Sequence, residues 1–159
     1  IQDIKFKNIK GSIACKVEAL GNKDDLEKNK TDEFSINITY SHKDTAENQM
    51  SYNHSDLVKV TIMPSFSNNV TAGNYEITYI VPAGFRFIEL DRQAPFWIEE
   101  DGQKLRFFFH YDRQNFAAIP ITFYIQAVQK GEYTVDYAVI KENLETKLNY
   151  INKERLTVK

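Results

Sequence analysis

The chain has 159 residues, of which 42% are hydrophobic and 26% are charged. This is enough for one large domain with its own core, and too little for two independent cores. Twenty-two acidic residues against 20 basic ones give a formal net charge of -2, so no overall positive field favours nucleic acid or an anionic membrane surface as a partner. No stretch of the sequence approaches the roughly 20 apolar residues that a membrane-spanning helix needs.

Short runs that alternate apolar and polar residues recur along the first half of the chain, as half-buried strands require. Residues 4–9 and 13–20 are predicted to form the two strands of a hairpin, and this strand-like start suggests a fragment of a longer protein. A polar run at residues 21–33 predicts a solvated loop with room for a short helical turn. Two further strands are predicted at residues 34–40 and 57–62, with a polar stretch between them.

The second half of the chain continues the strand pattern and adds stronger turn signals. Residues 75–81 are rich in aromatic and β-branched side chains, which predicts a central strand. Asp101-Gly102 and the run that contains Gly131 predict two hairpin turns. The strands beside these turns and at the end of the chain are predicted at residues 85–88, 96–98, 104–109, 119–128, 133–140 and 156–159.

About ten strands with regular turn signals, and no amphipathic helix, predict an all-β, antiparallel, immunoglobulin-like sandwich. Pro82 and Gly84 interrupt the pattern where a sheet must bend or the chain must cross between two sheets. The nine tyrosines and 11 phenylalanines lie mainly at strand positions, which predicts aromatic pairs in the core. An exposed aromatic platform that binds sugars is the alternative interpretation.

The sequence contains no arrangement of residue types that a catalytic, metal or cofactor site needs. The single cysteine, Cys15, shares its strand parity with Ile13 and Val17, which predicts a buried structural thiol rather than a nucleophile. The histidines lack the close spacing of zinc ligands. We therefore expect no enzyme activity, no metal and no cofactor. The three histidines are His42, His54 and His110.

Two acidic runs and four glycosylation sequences have alternative interpretations. Glu99-Glu100-Asp101 and Asp24-Asp25 would suit calcium or a glycosidase pair, but adjacent acids in turns and loops are usually solvated. The Asn-X-Ser/Thr sequences would carry glycans on an exported eukaryotic chain. The richness in lysine and asparagine is more typical of a low-GC bacterium, which leaves such sites bare. They begin at Asn29, Asn37, Asn53 and Asn69.

Several short motifs follow one another in a fixed order after residue 54. The run SDLVKVTI at residues 55–62 places Asp56 directly before an alternating strand. The run VPAGF at residues 81–85 contains Pro82 and Gly84 and follows the predicted central strand. It is the most specific of these motifs.

Three more motifs continue the order, and two of them contain a turn glycine. They are EDGQKLRFF at residues 100–108 with Gly102, FYIQAV at residues 123–128, and GEYTV at residues 131–135 with Gly131. In this succession the chain resembles the last domain of bacterial alpha-2-macroglobulin-like proteins, the large surface or periplasmic protease traps.

Some positions depart from the pattern of that family. Ser55 stands where the family usually has glycine, and no acidic residue precedes Pro82 in its motif. The Met-Tyr pair that many bacterial members carry after Ala138 is missing, so a role in covering a thioester is not carried over. The C-x-E-Q thioester motif is also absent, because Cys15 is followed by Lys-Val-Glu.

The resemblance implies a macroglobulin-like β-sandwich that acts as frame rather than trigger in a protease inhibitor. Residues 1–20 would be the tail of a preceding β domain or the first strands, and residues 21–159 would be the C-terminal domain. The implied partners are the other domains of the parent protein and the proteases it traps, and the implied location is the cell surface or the extracellular space of a bacterium. The implied structural signature is Asp56, Pro82, Gly84, Gly102 and Gly131.

Two other functions remain open from the sequence. An immunoglobulin-like adhesin or carbohydrate-binding module is favoured if Tyr111, Tyr137 and Tyr150 form one exposed flat patch. An accessory domain of a secreted hydrolase is supported only by the acidic runs.

Overall fold

The computed structural model of the chain describes residues 23–45, 47–91, 96–114, 120–136, 138–143, 146–151 and 154–159. Within these ranges the chain forms one short helix and twelve strands. No helix in the described residues is long and apolar enough to span a membrane. The helix α1 is Lys23–Lys28, and the strands are β1 Phe34–His42, β2 Ser51–Tyr52, β3 Leu57–Phe66, β4 Gly73–Ile80, β5 Phe85–Leu90, β6 Trp97–Asp101, β7 Lys104–Tyr111, β8 Ile121–Ala127, β9 Gly131–Val135, β10 Ala138–Glu142, β11 Leu148–Ile151 and β12 Glu154–Val158.

Two antiparallel sheets form the sandwich, which confirms the predicted all-β class. The four-stranded sheet has the order β1-β3-β8-β5, and the five-stranded sheet has the order β11-β10-β4-β7-β6. The predicted central strand is β4, which lies in the middle of the five-stranded sheet. The hairpin strands predicted at residues 4–9 and 13–20, together with Cys15, lie outside the described residues.

The core lies between the inner faces of these two sheets. In β1 the even-numbered side chains from Phe34 to Tyr40 are buried and the intervening polar ones are exposed, so the alternation in the sequence is the alternation in space. Each large apolar side chain buried in this way contributes roughly 1.5–3 kcal/mol through the hydrophobic effect. The largest fully buried side chains are Tyr40, Tyr52, Tyr75, Tyr79, Phe34, Phe107, Phe123, Ile62, Ile77, Leu105, Ile121 and Ile125.

A third, three-stranded sheet of order β2-β12-β9 closes one end of the sandwich. The pair β2–β12 is parallel, whereas β12 and β9 are antiparallel. Neither β2 nor β11 was predicted, because strands of two and four residues are too short to show a period. The last strand was predicted at residues 156–159, and β12 begins slightly earlier.

The two predicted hairpins have opposite outcomes. The turn at Asp101-Gly102 is confirmed: β6 and β7 pair up to Asp101 opposite Lys104, and Gly102 has a φ of 63°, as a two-residue hairpin loop requires. The hairpin at Gly131 is wrong, because β8 belongs to the four-stranded sheet and β9 pairs with β12. Gly131 has a φ of 150°, a conformation that only glycine adopts readily, and there the chain leaves one sheet for another.

The single strand predicted at residues 133–140 is also wrong. The structure divides it into β9, which ends at Val135, and β10, which begins at Ala138 in the five-stranded sheet. Because both halves are strands, the sequence pattern of a strand continues across this break and does not reveal it. Only their pairing partners reveal that they belong to different sheets.

The two long sides of the sandwich are built differently. On one side Asn149 of β11 donates hydrogen bonds to the carbonyl oxygens of Thr31 at 2.6 Å and Phe34 at 2.9 Å, and its own Oδ1 accepts the N–H of Tyr150. The bond to Phe34 ties β11 to β1, the bond to Thr31 ties it to the segment before β1, and together they close that side. On the other side β5 and β6 are both edge strands and do not pair with each other.

Buried tyrosine hydroxyls connect the two sheets across the core. Tyr79 of β4 donates to the hydroxyl oxygen of Tyr40 of β1 at 3.4 Å. Burial raises the pKa of both phenols above the ordinary value, and the nearby Glu154 carboxylate adds to this effect. Burial likewise raises the pKa of Tyr52. The core therefore holds phenols that must stay protonated while the protein is folded.

We predict that the free energy of unfolding falls as the pH rises above about 10, where unfolded tyrosines ionise. A pKa that is raised in the folded state contributes stability below the unfolded pKa, and this contribution is lost as the pH rises. The double variant Tyr40→Phe/Tyr79→Phe should lose stability less steeply above that pH in denaturant titrations. Replacement of the partly exposed Tyr124 by Phe is the control, and an equal slope in all three proteins would contradict the prediction.

Candidate functional site

Four of the five signature residues lie together at one end of the sandwich, which we call the crossover corner (residues 53–56, 81–85 and 127–133). Here the chain passes from β4 in the five-stranded sheet to β5 in the four-stranded sheet. The sequence left open whether Pro82 and Gly84 bend a sheet or mark a crossing, and the structure shows the crossing. Gly102 lies apart from the corner, in the β6–β7 hairpin.

The centre of the corner is the contact between Gly84 and the ring of Tyr133. A Cβ atom on Gly84 would lie 2.0 Å from Cε2 of that ring, closer than atoms can approach. The Tyr133 hydroxyl donates to the carbonyl oxygens of Gln129 at 2.9 Å and Lys130 at 3.1 Å. The ring thus covers Gly84 and holds the turn that leads into β9.

Backbone hydrogen bonds link the same segments. The carbonyl oxygen of Gly84 accepts the N–H groups of Val128 at 2.9 Å and Gln129 at 3.3 Å. The N–H of Phe85 donates to the carbonyl of Pro82 at 2.8 Å and closes the turn at the crossing. Phe85 is buried and packs edge-on against Tyr133, with ring centroids 6.1 Å apart. The corner is therefore held by packing as well as by hydrogen bonds.

Asp56 organises the turn that enters β3. Its carboxylate accepts the N–H of Asn53 at 2.7 Å, and its backbone N–H donates to the carbonyl of Asn53 at 3.1 Å. The backbone carbonyl of Asp56 accepts the N–H of Ala127, while the Ser55 N–H donates to the Ala127 carbonyl at 2.8 Å. The turn is thereby fixed to the end of β8.

Ser55 takes a backbone conformation that favours glycine. Its φ is 73°, and no other non-glycine residue of the described chain has a positive φ. The left-handed region costs an L-residue roughly 1–2 kcal/mol. Glycine adopts this region without that cost. This gives a physical reason for the glycine that is usual at this position in the family which the sequence resembles.

The residues considered for catalysis are not brought together. His42 lies in β1 and His110 in β7, in different sheets, and the ring of His54 contacts only the neighbouring Ser55 hydroxyl at 2.8 Å among the described residues. Within the described ranges, no group of three His, Cys, Asp or Glu side chains is placed to hold a metal ion.

The tyrosines proposed for a flat sugar-binding patch do not form one within the described residues. Tyr111 and Tyr150 are both buried, with 6% and 8% of their surface exposed. Tyr111 stacks on Phe66 with ring centroids 4.1 Å apart, and Tyr150 donates its hydroxyl proton to the Glu27 carboxylate. Tyr137 lies outside the described residues. The expected aromatic core pairs thus include Tyr111, whereas Tyr150 packs beside the ammonium of Lys30.

Three solved structures of bacterial alpha-2-macroglobulins are similar to this arrangement of strands. Native alpha-2-macroglobulin from Escherichia coli, from domain MG7 to the C-terminus, gives a TM-score of 0.67 at 16% identity over 80% of this chain and 24% of that chain. The native conformation of the E. coli protein gives 0.65 at 17% identity over 80% and 9%. Salmonella alpha-2-macroglobulin reacted with methylamine gives 0.65 at 13% identity over 80% and 9%.

The chain has a macroglobulin-like fold. It spans at most 24% of the length of these relatives, so the likeness concerns one part of much larger proteins. No protein-family model and no curated protein sequence matches the chain.

Sequence reasoning missed two residues that shape this macroglobulin-like domain. Tyr133 lies in the GEYTV motif, two positions after Gly131, so a glycine followed closely by an aromatic residue was the available signal. Asn149 gave no signal, because an asparagine near the end of a chain is ordinary. Its contacts with Thr31 and Phe34 depend on two segments that are distant in sequence.

We predict that Gly84→Ala lowers the free energy of unfolding by about 1–3 kcal/mol, because the new methyl group collides with the Tyr133 ring. The cost should shrink in a Tyr133→Leu background, and a double-mutant cycle measured by denaturant unfolding gives the coupling. Ala83→Ser, at the exposed neighbouring position, is the control. If Gly84→Ala costs the same in both backgrounds, the contact with the ring is not the cause.

We predict that Ser55→Gly raises the free energy of unfolding by about 0.5–1 kcal/mol, because relief of the left-handed strain exceeds the entropy that glycine gains in the unfolded state. Ser67→Gly is the matched control, since Ser67 is an exposed loop residue without a positive φ and should lose stability. Thermal and denaturant unfolding of both variants measure the difference, and a loss of stability in Ser55→Gly would refute the strain.

Proposed function

We propose that the chain is a non-catalytic structural domain of an exported bacterial protein of the alpha-2-macroglobulin type, a broad-spectrum protease trap. The observation that supports this proposal most is the likeness of the fold to three bacterial alpha-2-macroglobulins over 80% of the chain. The domain would act through contacts with the other domains of its parent protein. Trapped proteases would be partners of the parent rather than of this domain.

The packing of the domain suits a role as frame. The crossover corner fixes three sheets to one another through Gly84, Tyr133 and the turn at Asp56. Asn149 closes one side of the sandwich. A frame has to transmit force between its neighbours without deforming, and a domain whose sheets are tied at several separate points meets that demand better than one held by a single hinge.

We propose residues 21–159 as the domain and residues 1–20 as the tail of a preceding β domain or the first strands. The segment around α1 belongs with the sandwich, which supports a boundary before it. The N–H of Thr31 donates to the Leu148 carbonyl at 2.9 Å, and the Leu148 N–H donates to the Asn29 carbonyl at 2.9 Å. The ammonium of Lys30 also lies 4.8 Å from the centroid of the Tyr150 ring.

The test is protease protection in the parent protein, with and without the region from Ser55 to Lys159. After exposure to trypsin, the cleaved parent should become more compact and the trypsin should lose activity toward a large protein substrate. We expect deletion of the region to abolish this protection or to leave the native state collapsed before cleavage. Gel filtration and the rate of casein hydrolysis are the measurements.

A point variant tests whether protection requires a stable domain and not only the presence of its residues. Gly84→Ala in the parent should weaken protection in proportion to the stability that the domain loses, whereas Ala83→Ser should leave it unchanged. If the parent protects nothing in either form, with or without the region, the protease-trap proposal is wrong. A screen against glycans and surface proteins would then test the adhesin hypothesis.

A further inference from the structure

The open side of the sandwich contains a cleft between two edge strands. It is an open cleft of about 500 Å³ lined by Phe87, Glu89, Leu90, Ile98 and Glu100. The first three belong to β5 and the last two to β6. The opposite side of the sandwich is closed by Asn149, so the molecule offers this cleft on one side only among its described residues.

Among the described strands, β6 is an edge strand whose backbone presents hydrogen-bonding groups at this side. The hairpin loop closes at Asp101 opposite Lys104, and in an antiparallel ladder the hydrogen-bonded and non-hydrogen-bonded pairs alternate from there. Ile98 and Glu100 therefore direct their N–H and C=O groups away from β7, toward the open edge. The side chains of the same two residues line the cleft.

The carboxylates in the cleft are not neutralised by the described residues. Glu99, on the outer face of β6, has an ion pair with Arg106 at 2.7 Å. Glu89 and Glu100 have no hydrogen-bond or ion-pair partner within the described ranges. A ligand of this cleft therefore meets negative charge beside the apolar side chains of Phe87 and Ile98.

Exposed apolar side chains lie on the same two strands, outside the lining of the cleft. Trp97 of β6 has 70% of its surface exposed, the largest value among the exposed large hydrophobic residues described, and Ile88 of β5 has 37%. Tryptophan is enriched where one protein binds another. The edge of β6 is thus apolar at its beginning and acidic at its end.

The two edges differ in their readiness to accept another strand. The register of β5 shifts between Phe87 and Glu89, and such a bulge blunts an edge. The register of β6 is continuous. Antiparallel pairing of β6 with β6 of a second copy through Ile98 and Glu100 would place Glu99 directly opposite Glu99 of that copy, and like charges across strands are destabilising. The charge of β6 thus disfavours a second copy and favours a basic partner.

We propose that β6 binds an extended, basic segment of a partner polypeptide, which adds to the five-stranded sheet as a further strand. Main-chain bonds to Ile98 and Glu100 would give affinity, and the cleft would select side chains on one face of the added strand. An apolar side chain lies over Ile98, and a lysine or arginine two positions away lies beside Glu100 and Glu89. This inference depends on the edge itself and not on the identity of the parent protein.

The test uses the full chain and a labelled peptide of sequence Lys-Thr-Ile-Thr-Lys-Thr-Ile-Thr-Lys, which presents lysine and isoleucine on one face in either strand direction. Fluorescence anisotropy should show binding, with no binding of the same peptide carrying glutamate in place of lysine. Glu89→Lys/Glu100→Lys should weaken binding of the lysine peptide about tenfold or more and should gain affinity for the glutamate peptide. Glu47→Lys/Glu132→Lys, which changes the net charge equally at exposed sites outside the cleft, is the control.

Glu100→Pro tests the main-chain bonds, because it removes an N–H that points away from β7. It should weaken peptide binding about tenfold while the melting temperature stays near that of the unsubstituted chain. If the substitution unfolds the hairpin, the variant Glu89→Lys/Glu100→Lys still decides the question. The proposal is wrong if the lysine peptide does not bind, or if it binds the reversed and control variants equally.

Amide hydrogen exchange at Ile98 and Glu100 distinguishes the proposed peptide from other segments that could cover the edge of β6. The two amides should exchange quickly in the free chain and become protected when the lysine peptide is added. Protection in the free chain at every protein concentration would mean that a segment of this chain already covers the edge. Protection that grows with protein concentration would mean a second copy, and either result overturns the proposal.

Discussion

The crossing between the two main sheets depends on the close approach of the Tyr133 ring to Gly84. At that contact the chain leaves the five-stranded sheet for the four-stranded one, and β8 ends close to where β9 begins. Only a residue without a side chain leaves room for the ring, and only a ring of this size reaches the carbonyls of Gln129 and Lys130. The three sheets therefore approach one another where one aromatic side chain covers the backbone at the crossing.

The two long sides of the sandwich differ, because one is closed and the other is open. One side is closed by Asn149 of β11, which donates one hydrogen bond to Phe34 of β1 and one to Thr31 in the segment before β1. The other side ends, among the described strands, in the two edge strands β5 and β6, with Glu89 and Glu100 between them. Among the described residues, an edge strand is therefore exposed on one side of the sandwich and the other side is closed.

The aromatic residues serve the core rather than a sugar platform in the described part of the chain. Tyr40 and Tyr79 meet across the two sheets, and Tyr111 lies stacked against Phe66. A phenol combines a large apolar ring with a hydroxyl that can find a partner when buried. This combination lets a thin sandwich bridge its two sheets without an unsatisfied polar group at those hydroxyls.

The sequence by itself determined the class of the fold, the positions of most strands and the tight turn at Gly102. These features are local, because the direction of a side chain alternates along a strand and a two-residue turn needs only its own glycine. Only the tertiary structure decided which strands pair. The turn at Gly131 leads to another sheet, the run at residues 133–140 divides between two sheets, and β2 runs parallel to β12.

The candidate corner shows the same division. Sequence motifs singled out Asp56, Pro82, Gly84 and Gly131, but the ring that packs against the two glycines comes from Tyr133, and Asn149 has no sequence signal. Pairing partners and close approaches join residues far apart along the chain, and no local pattern records which distant surface will cover a given glycine or carbonyl.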